Sequence, residues 1–593
     1  MKKLALLLCV SALSATLGCN GGGGPANGLS TKNEAIWYIS ADIERLNPLL
    51  SSDESSSYVQ GEIWETLSGT NPRTMEDIPL LATLPEESPD HLTFTYTVNP
   101  KAHWSDGKPV TVEDVIFNYK TVLNPKLINS QAQRGYFVTL DSVWASNEPN
   151  KVCFHWSKFR YDILHITSYV KILPKHIFDP KNLSDKMSWA ELHNSASSDQ
   201  AIQEFAKWFE SDKIARDPNY MIGSGPYKFD TWITNDRVIL RRDTSYWGQN
   251  VAWQDAYPDR IIFKTIKDLN AALTALKAKD IDIIDGLSAP QYLTQLDTNA
   301  NKYLKKDTIY LNLYSYVGWN NLHPLFKDKN VRKALTMLIN RDEIIHTLLH
   351  DMTKKVEGPV APSQPNFDPT VKQPAYDVDA AKKLLAESGW KDSDGDGTID
   401  KVIDGKKTPF KFTFLIPSGS EVPKQVCLII ANQLKKAGIM AEISQIEWSV
   451  YLEQTKSHKF DAMLGSWIGN TTEDEISQLW QSSQSYNKGS NHYSYRSPEA
   501  DALMEAIKVE PDKQKRFDMS HKLQHIIVDD QPVTFMYSSP MRIGWQDRFD
   551  NFELFHSRPP FDPKYWLIRG AGTKLMPNAV PMSLGPVKSA QPH

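Results

Sequence analysis

The chain has 593 residues, a formal net charge of -5 at pH 7, 40% hydrophobic residues and 23% charged residues. This length exceeds the ~250–300 residues at which single hydrophobic cores stop growing, so at least two lobes are expected. The weakly acidic balance, with no long basic run, argues against nucleic acid as a partner and describes an ordinary globular protein.

The N-terminal segment has the pattern of an export signal. Lys2 and Lys3 precede an apolar run over residues 4–10, followed by small residues that end at Cys19. The segment is too short to remain in a membrane as a span. Its ending, TLGC, resembles a lipobox, although Thr16 stands where Leu is usual. We therefore expect Cys19 to be the lipidated first residue of an extracytoplasmic protein, in the periplasm or on the cell surface, with plain secretion as the alternative.

Composition also predicts the properties of the segment after Cys19, of the C-terminal segment and of the remaining cysteines. Residues 20–34 contain four consecutive glycines, which predicts a flexible tether. Residues 571–593 hold four prolines and no periodicity, which predicts a poorly ordered tail. Only Cys153 and Cys427 remain in the processed chain, both within apolar patterns, so we expect two buried core cysteines.

The most informative stretch is HWSDGKPVTVEDVIFNYKTVLNP, residues 103–125. Asp106-Gly107 predicts a tight turn, and Thr111 with Asp114 predicts a capping box at the start of an amphipathic helix. Asn124-Pro125 predicts the end of that helix. These signals define a turn, a short strand and a helix, and they identify no function on their own.

The order of residues from Trp104 to Val115, W-x-D-G-x-P-V-T-x-x-D-V, resembles the signature of the family 5 extracellular solute-binding proteins of the oligopeptide/dipeptide-binding type. Proteins of this family bind peptides, dipeptides, nickel chelates or similar solutes for ABC importers. Further matches are ILPKH at 172–176, VRKAL at 331–335 and FDAMLGSWIGN at 460–470. Recognisable similarity extends from about residue 35 to residue 536.

The resemblance implies an α/β fold, the two-lobed periplasmic-binding-protein fold of the type II-like class, with an extra small domain inserted in the first lobe. We expect lobe I at 35–58, 172–288 and 534–570, the inserted domain at 59–171 and lobe II at 289–533. Two chain crossings would form a hinge, and the ligand would lie between the lobes. The expected partners are a short peptide and the permease and ATPase subunits of an importer, with the protein a monomer tethered by its lipid.

The resemblance also implies which residues meet the ligand. In peptide-binding relatives an extended ligand is hydrogen-bonded to backbone on two walls, which would place the following residues at the site: Asp42, Ile43 and Glu44 on one wall, Gly465, Ser466, Trp467 and Ile468 on the other, and Asn491 and Tyr493 farther along. Peptide-binding relatives place an Asp shortly after the Trp, where this chain has Asn470. Glu473 or Asp474 could replace its charge, or the ligand could lack a free N-terminus.

Alternating aspartates at Asp392, Asp394, Asp396 and Asp400 leave two interpretations open. They could form a calcium loop, but Ile403 stands at the twelfth position, where an EF-hand needs Glu. The other interpretation, an acidic hairpin, is the one we favour. No nucleophile elbow, zinc-protease motif or phosphate-binding lysine loop is present, so we expect neither catalysis nor a cofactor. A non-peptide solute such as a metal chelate, sugar or opine, or a role as sensor or chaperone, remains the alternative.

Overall fold

The structure is a computed structural model that describes residues 29–51, 53–248, 254–418, 421–469, 476–486 and 489–572. Cys19, Asn470, Glu473, Asp474 and residues 573–593 lie outside the described residues. The predictions made for them therefore stay predictions.

The strands are given in chain order, because the two large sheets are assembled from distant parts of the chain. They are β1 (Glu34–Ile39), β2 (Ser68–Thr70), β3 (Asp77–Pro79), β4 (Glu86–Glu87), β5 (Thr93–Thr97), β6 (Leu140–Ala145), β7 (Lys151–Trp156), β8 (Tyr227–Ile233), β9 (Arg237–Arg242), β10 (Arg260–Thr265), β11 (Ile283–Ile284), β12 (Leu304–Ile309), β13 (Leu313–Trp319), β14 (Lys354–Lys355), β15 (Asp400–Ile403), β16 (Lys406–Pro409), β17 (Lys411–Pro417), β18 (Met440–Ile446), β19 (Ala462–Ile468), β20 (Val533–Ser538) and β21 (Met541–Gln546).

The helices are also given in chain order. They are α1 (Glu54–Ile63), α2 (Val112–Leu123), α3 (Gln131–Arg134), α4 (Ile163–Thr167), α5 (Lys175–Phe178), α6 (Leu183–Lys186), α7 (Trp189–Leu192), α8 (Gln200–Phe209), α9 (Asp212–Arg216), α10 (Leu269–Ala278), α11 (Lys329–Leu338), α12 (Arg341–Thr347), α13 (Val378–Glu387), α14 (Glu421–Lys435), α15 (Trp448–Lys456), α16 (Ser477–Trp480), α17 (Pro498–Val509) and α18 (Lys513–Asp530). Among the described residues, none of these helices is both long and apolar enough to cross a bilayer.

The capping box predicted at the start of α2 is confirmed. The Thr111 backbone N–H donates to Asp114 Oδ2 at 2.8 Å, and the Asp114 N–H donates to Thr111 Oγ1 at 3.3 Å. The second carboxylate oxygen of Asp114 accepts a hydrogen bond from the Lys175 backbone at 2.7 Å. The same side chain therefore takes part in the capping box of α2 and fixes the start of α5, a later helix of the chain, against it.

Lobe I is built on a seven-stranded sheet in the order β12-β21-β11-β1-β10-β9-β8. β1 is parallel to β10 and β11, whereas β21 is antiparallel to β11 and β12. Trp37 of β1 is almost fully buried and stacks on Tyr58 of α1 with ring centroids 4.5 Å apart. The carboxyl ends of the three parallel strands share one edge, which is where ligand sites of open α/β sheets form.

Lobe II is built on a six-stranded sheet in the order β14-β20-β13-β19-β17-β18. β17 is parallel to β18 and to the start of β19, and β13 is antiparallel to both β19 and β20. Its core contains a buried thiol, Cys427, and burial raises the pKa of that thiol to about 12. Cys153 is also buried, in β7, so both cysteines are core residues as predicted.

The chain crosses between the two large sheets twice, at residues 310–312 and 539–540. β12 of lobe I leads into β13 of lobe II, and β20 of lobe II leads into β21 of lobe I. β12 pairs with β21 and β13 with β20, so the two crossings lie side by side as a two-stranded hinge. The predicted boundaries at 289 and 533 are therefore wrong, because 304–309 is an edge strand of lobe I and 533–538 is a strand of lobe II.

The inserted domain, residues 86–216, has a four-stranded antiparallel sheet in the order β4-β5-β7-β6, packed on α2. The ring of Tyr119 in α2 meets that of Phe154 in β7 at 4.7 Å. α2 also packs on α8, where Phe117 and Phe205 are 5.9 Å apart. The predicted range 59–171 was too early at both ends, since α1 belongs to lobe I and the helices up to residue 216 belong to the insertion.

Candidate functional site

β19 presents an open backbone edge at the carboxyl end of the lobe II sheet. β17 pairs with β19 only at Ala462 and Met463. Among the described residues, no strand pairs with β19 on that side beyond Met463. The last five residues of the strand, 464–468, therefore have β13 on one side and no strand on the other.

The hydrogen-bond register shows which groups point to the open side. The Gly469 N–H donates to the Asn312 carbonyl at 2.8 Å, so residues 465, 467 and 469 face β13. Because alternate residues of a strand point their backbone groups to opposite sides, Leu464, Ser466 and Ile468 face the open edge. The Leu464 carbonyl already accepts a hydrogen bond from the Tyr451 hydroxyl at 3.0 Å. Ser466 and Ile468 thus present backbone donors and acceptors there.

The four predicted wall residues of β19 have distinct environments. Gly465 lies over the Tyr316 ring, where a β-carbon would come within 2.8 Å of a ring carbon. The Ser466 hydroxyl is 2.9 Å from that of Ser315. Trp467 packs partly against the core of lobe II, whereas Ile468 packs against the core of lobe I. The strand thus ends where the two lobes meet.

A cavity of about 280 Å³ lies between the lobes at this point. Lobe I contributes residues 74–75 and 556–558, and the hinge and lobe II contribute residues 311–312, 363–365 and 468–469. The predicted wall residue Ile468 therefore lines a space shared by both lobes.

The other predicted wall, residues 42–44, is only partly accessible. Both carboxylate oxygens of Asp42 accept hydrogen bonds, from Trp232 Nε1 at 3.1 Å and from the Asn235 backbone at 2.8 Å. Ile43 is buried in the core of lobe I. The Glu44 side chain is 61% exposed. Asp42 and Ile43 therefore hold this segment in place, and Glu44 alone of the three extends its side chain well into solvent.

Sequence reasoning missed a charged cluster on lobe I beside the cavity. Arg558, which lines the cavity, is paired with Glu54 at 2.8 Å, and the Tyr58 hydroxyl also donates to Glu54. Asp285 follows β11 at the carboxyl edge of the sheet. Its pKa is raised to about 6, mainly by burial and to a smaller extent by repulsion from Glu54. These residues come from three distant segments, so no local pattern could have revealed them.

Lobe II carries a second missed feature, a set of exposed apolar side chains after the carboxyl ends of β17 and β18. Trp448 is 55% exposed, Val450 46% and Val422 40%. The Trp448 ring is stacked on Tyr451 at 5.5 Å, and Tyr451 in turn bonds to β19. A contiguous exposed apolar surface can mark a binding site, and these side chains follow strands whose carboxyl ends lie at the same edge of the sheet as that of β19. The sequence pattern that could have indicated this surface is an aromatic pair, Trp448 and Tyr451, one helical turn apart directly after a strand.

Asn491 and Tyr493, which were placed among the ligand-binding residues, lie inside lobe II with 0% exposure. Asn491 Nδ2 donates to two backbone carbonyls and its Oδ1 accepts from the Tyr495 backbone at 3.0 Å. The Tyr493 hydroxyl donates to the Leu479 carbonyl, and its ring supports Tyr316 edge-on at 5.8 Å. Neither residue is accessible to a ligand, and Tyr493 is connected to the wall through Tyr316, which lies under Gly465.

The acidic loop brings together oxygens of Asp392, Asp394 and Asp400, all within 4.8 Å of one another. The Lys407 ammonium lies 2.5 Å from Asp394 and 3.3 Å from Asp400. It holds the pKa of Asp394 below its usual value. The carboxylate of Asp396 instead accepts a hydrogen bond from the Thr398 backbone. Because Lys407 already pairs with two of the three carboxylates and offsets part of their charge, these residues fit an acidic hairpin better than a calcium site.

Comparisons with known proteins agree with this geometry. The family model described as bacterial extracellular solute-binding proteins, family 5 Middle, matches residues 77–490. The oligopeptide-binding protein AppA of Bacillus subtilis is 30% identical over 532 residues, covering 88% of this chain and 89% of AppA. The periplasmic oligopeptide-binding protein OppA of Salmonella typhimurium is 25% identical over 471 residues, covering 76% and 77% of the two chains.

Solved structures show the same architecture. The structure of AppA from Bacillus subtilis in complex with a nonapeptide matches with a TM-score of 0.72 and 27% identity, covering 90% of this chain and 98% of that one. The structure of NikZ from Campylobacter jejuni in complex with Ni(L-His) matches with a TM-score of 0.69 and 20% identity, covering 88% and 95%. The two lobes, the hinge and the inserted domain therefore form a fold that is shared across these proteins.

Proposed function

The chain belongs to the bacterial extracellular solute-binding proteins of family 5, and from this premise we propose that it captures a short peptide between its lobes and delivers it to an ABC importer. Its fold is the two-lobed periplasmic-binding-protein fold, which is α/β throughout. The observation that carries the proposal is the open edge of β19, which faces the cavity between the lobes.

An extended peptide can add to this edge as a further strand. Ser466 and Ile468 offer backbone N–H and C=O groups in the spacing that a strand requires, so the contacts are independent of the ligand's side chains. This explains how such a site can accept many peptide sequences. Ile468, at the end of the edge, packs against lobe I, whereas Ser466 is exposed and accessible to a ligand.

Side-chain preference then comes from the surfaces next to the edge. Trp448, Val450 and Val422 offer an apolar surface on lobe II, where burial contributes about 25 cal/mol per Å² of apolar area. Glu54 and Asp285 on lobe I offer carboxylates to a cationic side chain or terminus. We therefore expect short peptides with an apolar residue to bind better than acidic ones.

Hinge motion admits and retains the ligand. The cavity of about 280 Å³ is slightly smaller than the ~300–1,000 Å³ of small-ligand pockets, so the lobes lie close together. Rotation about residues 310–312 and 539–540 would open the cleft, and closure would bury the peptide. The closed shape of the monomeric binding protein is then what the permease would recognise, and the ATPase subunits would drive transport through that permease.

The localisation we propose is extracytoplasmic, with Cys19 carrying a lipid that tethers the protein to a membrane. The support is the signal segment and the glycine tether of the sequence. Such a tether lets the globular body move clear of the bilayer while it stays near its importer.

Mass spectrometry of material co-purified with the protein tests the proposal. Short peptides are expected, and a uniform non-peptide solute would favour the alternative of a metal chelate, sugar or opine. Calorimetry with Ala-Phe-Ala and its N-acetylated form then addresses the ligand's amine. If Glu473, Asp474 or the lobe I carboxylates pair with it, the free peptide binds and the acetylated one does not. Equal binding of both would mean that no carboxylate pairs with the amine.

A further inference from the structure

A short loop of the inserted domain, residues 159–162, reaches across to lobe II. The backbone N–H of Tyr161 donates to the carbonyl of Lys508 at 3.0 Å. The guanidinium of Arg516 lies over the Tyr161 ring, 4.5 Å from its centroid. One residue of lobe I's insertion thus makes both a hydrogen bond and a cation–π contact to the other lobe.

Two residues of lobe II, Lys508 and Arg516, are positioned to make this contact. Lys508 lies in the last turn of α17, where helix carbonyls have no partner within the helix. Tyr161 therefore supplies a C-terminal cap from outside the lobe. Arg516 is 9% exposed and donates to the carbonyls of Glu510 and Pro511 at 3.0 and 2.9 Å, so its guanidinium is held in position.

The loop itself is also rigid. Arg160 and Asp162, on either side of Tyr161, form a bidentate ion pair at 2.8 and 2.6 Å. Asp162 is followed directly by α4. The Tyr161 ring is consequently presented on a fixed turn, and little conformational entropy remains to be lost when it meets Arg516.

We propose that residues 159–162 form a latch that holds the two lobes closed. The covalent connections between the lobes are the hinge segments 310–312 and 539–540, and the latch is a non-covalent contact far from them in sequence. A hydrogen bond of 3.0 Å and a ring contact of 4.5 Å survive only small displacements, so opening of the cleft breaks both. The proposal rests on the proposed function in one respect, namely that the closed cleft retains a peptide.

Scattering measurements on the ligand-free full chain test the latch without any ligand. Tyr161→Ala removes the ring and should increase the radius of gyration, because the open form becomes more populated. Tyr161→Phe keeps the ring and is the matched control, expected to equal the wild type. If Tyr161→Ala leaves the radius unchanged at an unchanged melting temperature, the latch is refuted. If it does not fold, Arg516→Gln removes the same contact from the other lobe.

Peptide release gives the second readout. Release of Ala-Phe-Ala, followed by tryptophan fluorescence, should be faster by about 2- to 30-fold in Tyr161→Ala, the range that a cation–π contact allows. Arg516→Gln should have a similar effect, and the double variant should be no faster than either single variant. Additive effects would contradict a shared contact. If the wild type binds no peptide, the proposed function fails, while the scattering result still decides the latch.

Discussion

At position 465 the groove wall has no room for a β-carbon. A methyl group there would lie 2.8 Å from a Tyr316 ring carbon and 2.9 Å from the Met463 side chain. We predict that Gly465→Ala lowers the free energy of unfolding by about 1–3 kcal/mol, the usual cost of overpacking. Gly61→Ala is the control, because nothing lies within 4 Å of that position in α1, and it should not destabilise the protein. Urea denaturation that shows equal changes in the two variants would contradict this packing argument.

The carboxyl of Asp285 predicts a pH dependence of stability. Its pKa is raised to about 6 by burial and then by Glu54, compared with about 3.9 in an unfolded chain. The native state therefore binds more protons between these values, and its free energy of unfolding falls as pH rises from about 4 to about 6. Asp285→Asn removes this effect. The free energy of unfolding of the variant minus that of the wild type should therefore increase between about pH 4 and about pH 6 and stay at the higher value above about pH 6. Denaturation curves at several pH values that keep a constant difference would rule out the assignment.

Local sequence patterns could indicate some of the candidate site residues but not others. Ser466 and Ile468 could be proposed from the sequence because they lie in one contiguous strand that resembles the family pattern. Asn491 and Tyr493 were predicted at the ligand site but lie in the core of lobe II. The sequence does not distinguish a polar or aromatic side chain that contacts a ligand from one that bonds to a buried carbonyl. The pairing of Glu54 with Arg558 joins residues 504 positions apart, which local patterns cannot show.

Individual helices were predictable because their signals are local. The N-cap predicted at Thr111 is confirmed. The lobe boundaries were not predictable in the same way, because they depend on β12 pairing with β21 and β13 with β20, strands separated by more than two hundred residues. An edge strand and a hinge strand have similar patterns, and only their partners assign them to a lobe.

The hairpin formed by β15 and β16 gives a prediction about metal removal. Because the Lys407 ammonium lies against Asp394 and Asp400, it competes with any cation. Thermal melts in excess calcium and in EDTA should coincide, since a ligand that does not bind the native state adds no stability. Lys407→Gln removes the competing charge and is the variant in which calcium could raise the melting temperature. A calcium-dependent shift in the wild type would overturn the hairpin interpretation.

The whole molecule is expected to be tethered through Cys19. We predict that Cys19→Ala moves the protein from the membrane fraction to the soluble extracytoplasmic fraction, because the lipid would be its anchor. Fractionation followed by immunoblotting measures this. Retention of Cys19→Ala at the membrane would show that another contact holds it there.

We propose that peptide capture by the two lobes depends on the open edge of β19, and Ser466 allows that dependence to be measured. Its N–H faces the open side of β19, so Ser466→Pro removes a donor from the groove without removing a ladder bond to β13. Ser466→Ala is the matched control, since both variants lose the hydroxyl contact with Ser315 while alanine keeps the backbone N–H.

Calorimetry of Ala-Phe-Ala binding to this pair is therefore the most direct test. If the peptide adds to β19 as a strand, Ser466→Pro should weaken binding by at least about tenfold, through the lost hydrogen bond and the bulk of the ring, while Ser466→Ala should bind nearly as the wild type does. Binding by Ser466→Pro that equals that of Ser466→Ala would contradict the proposal that the ligand is held by the open edge of β19.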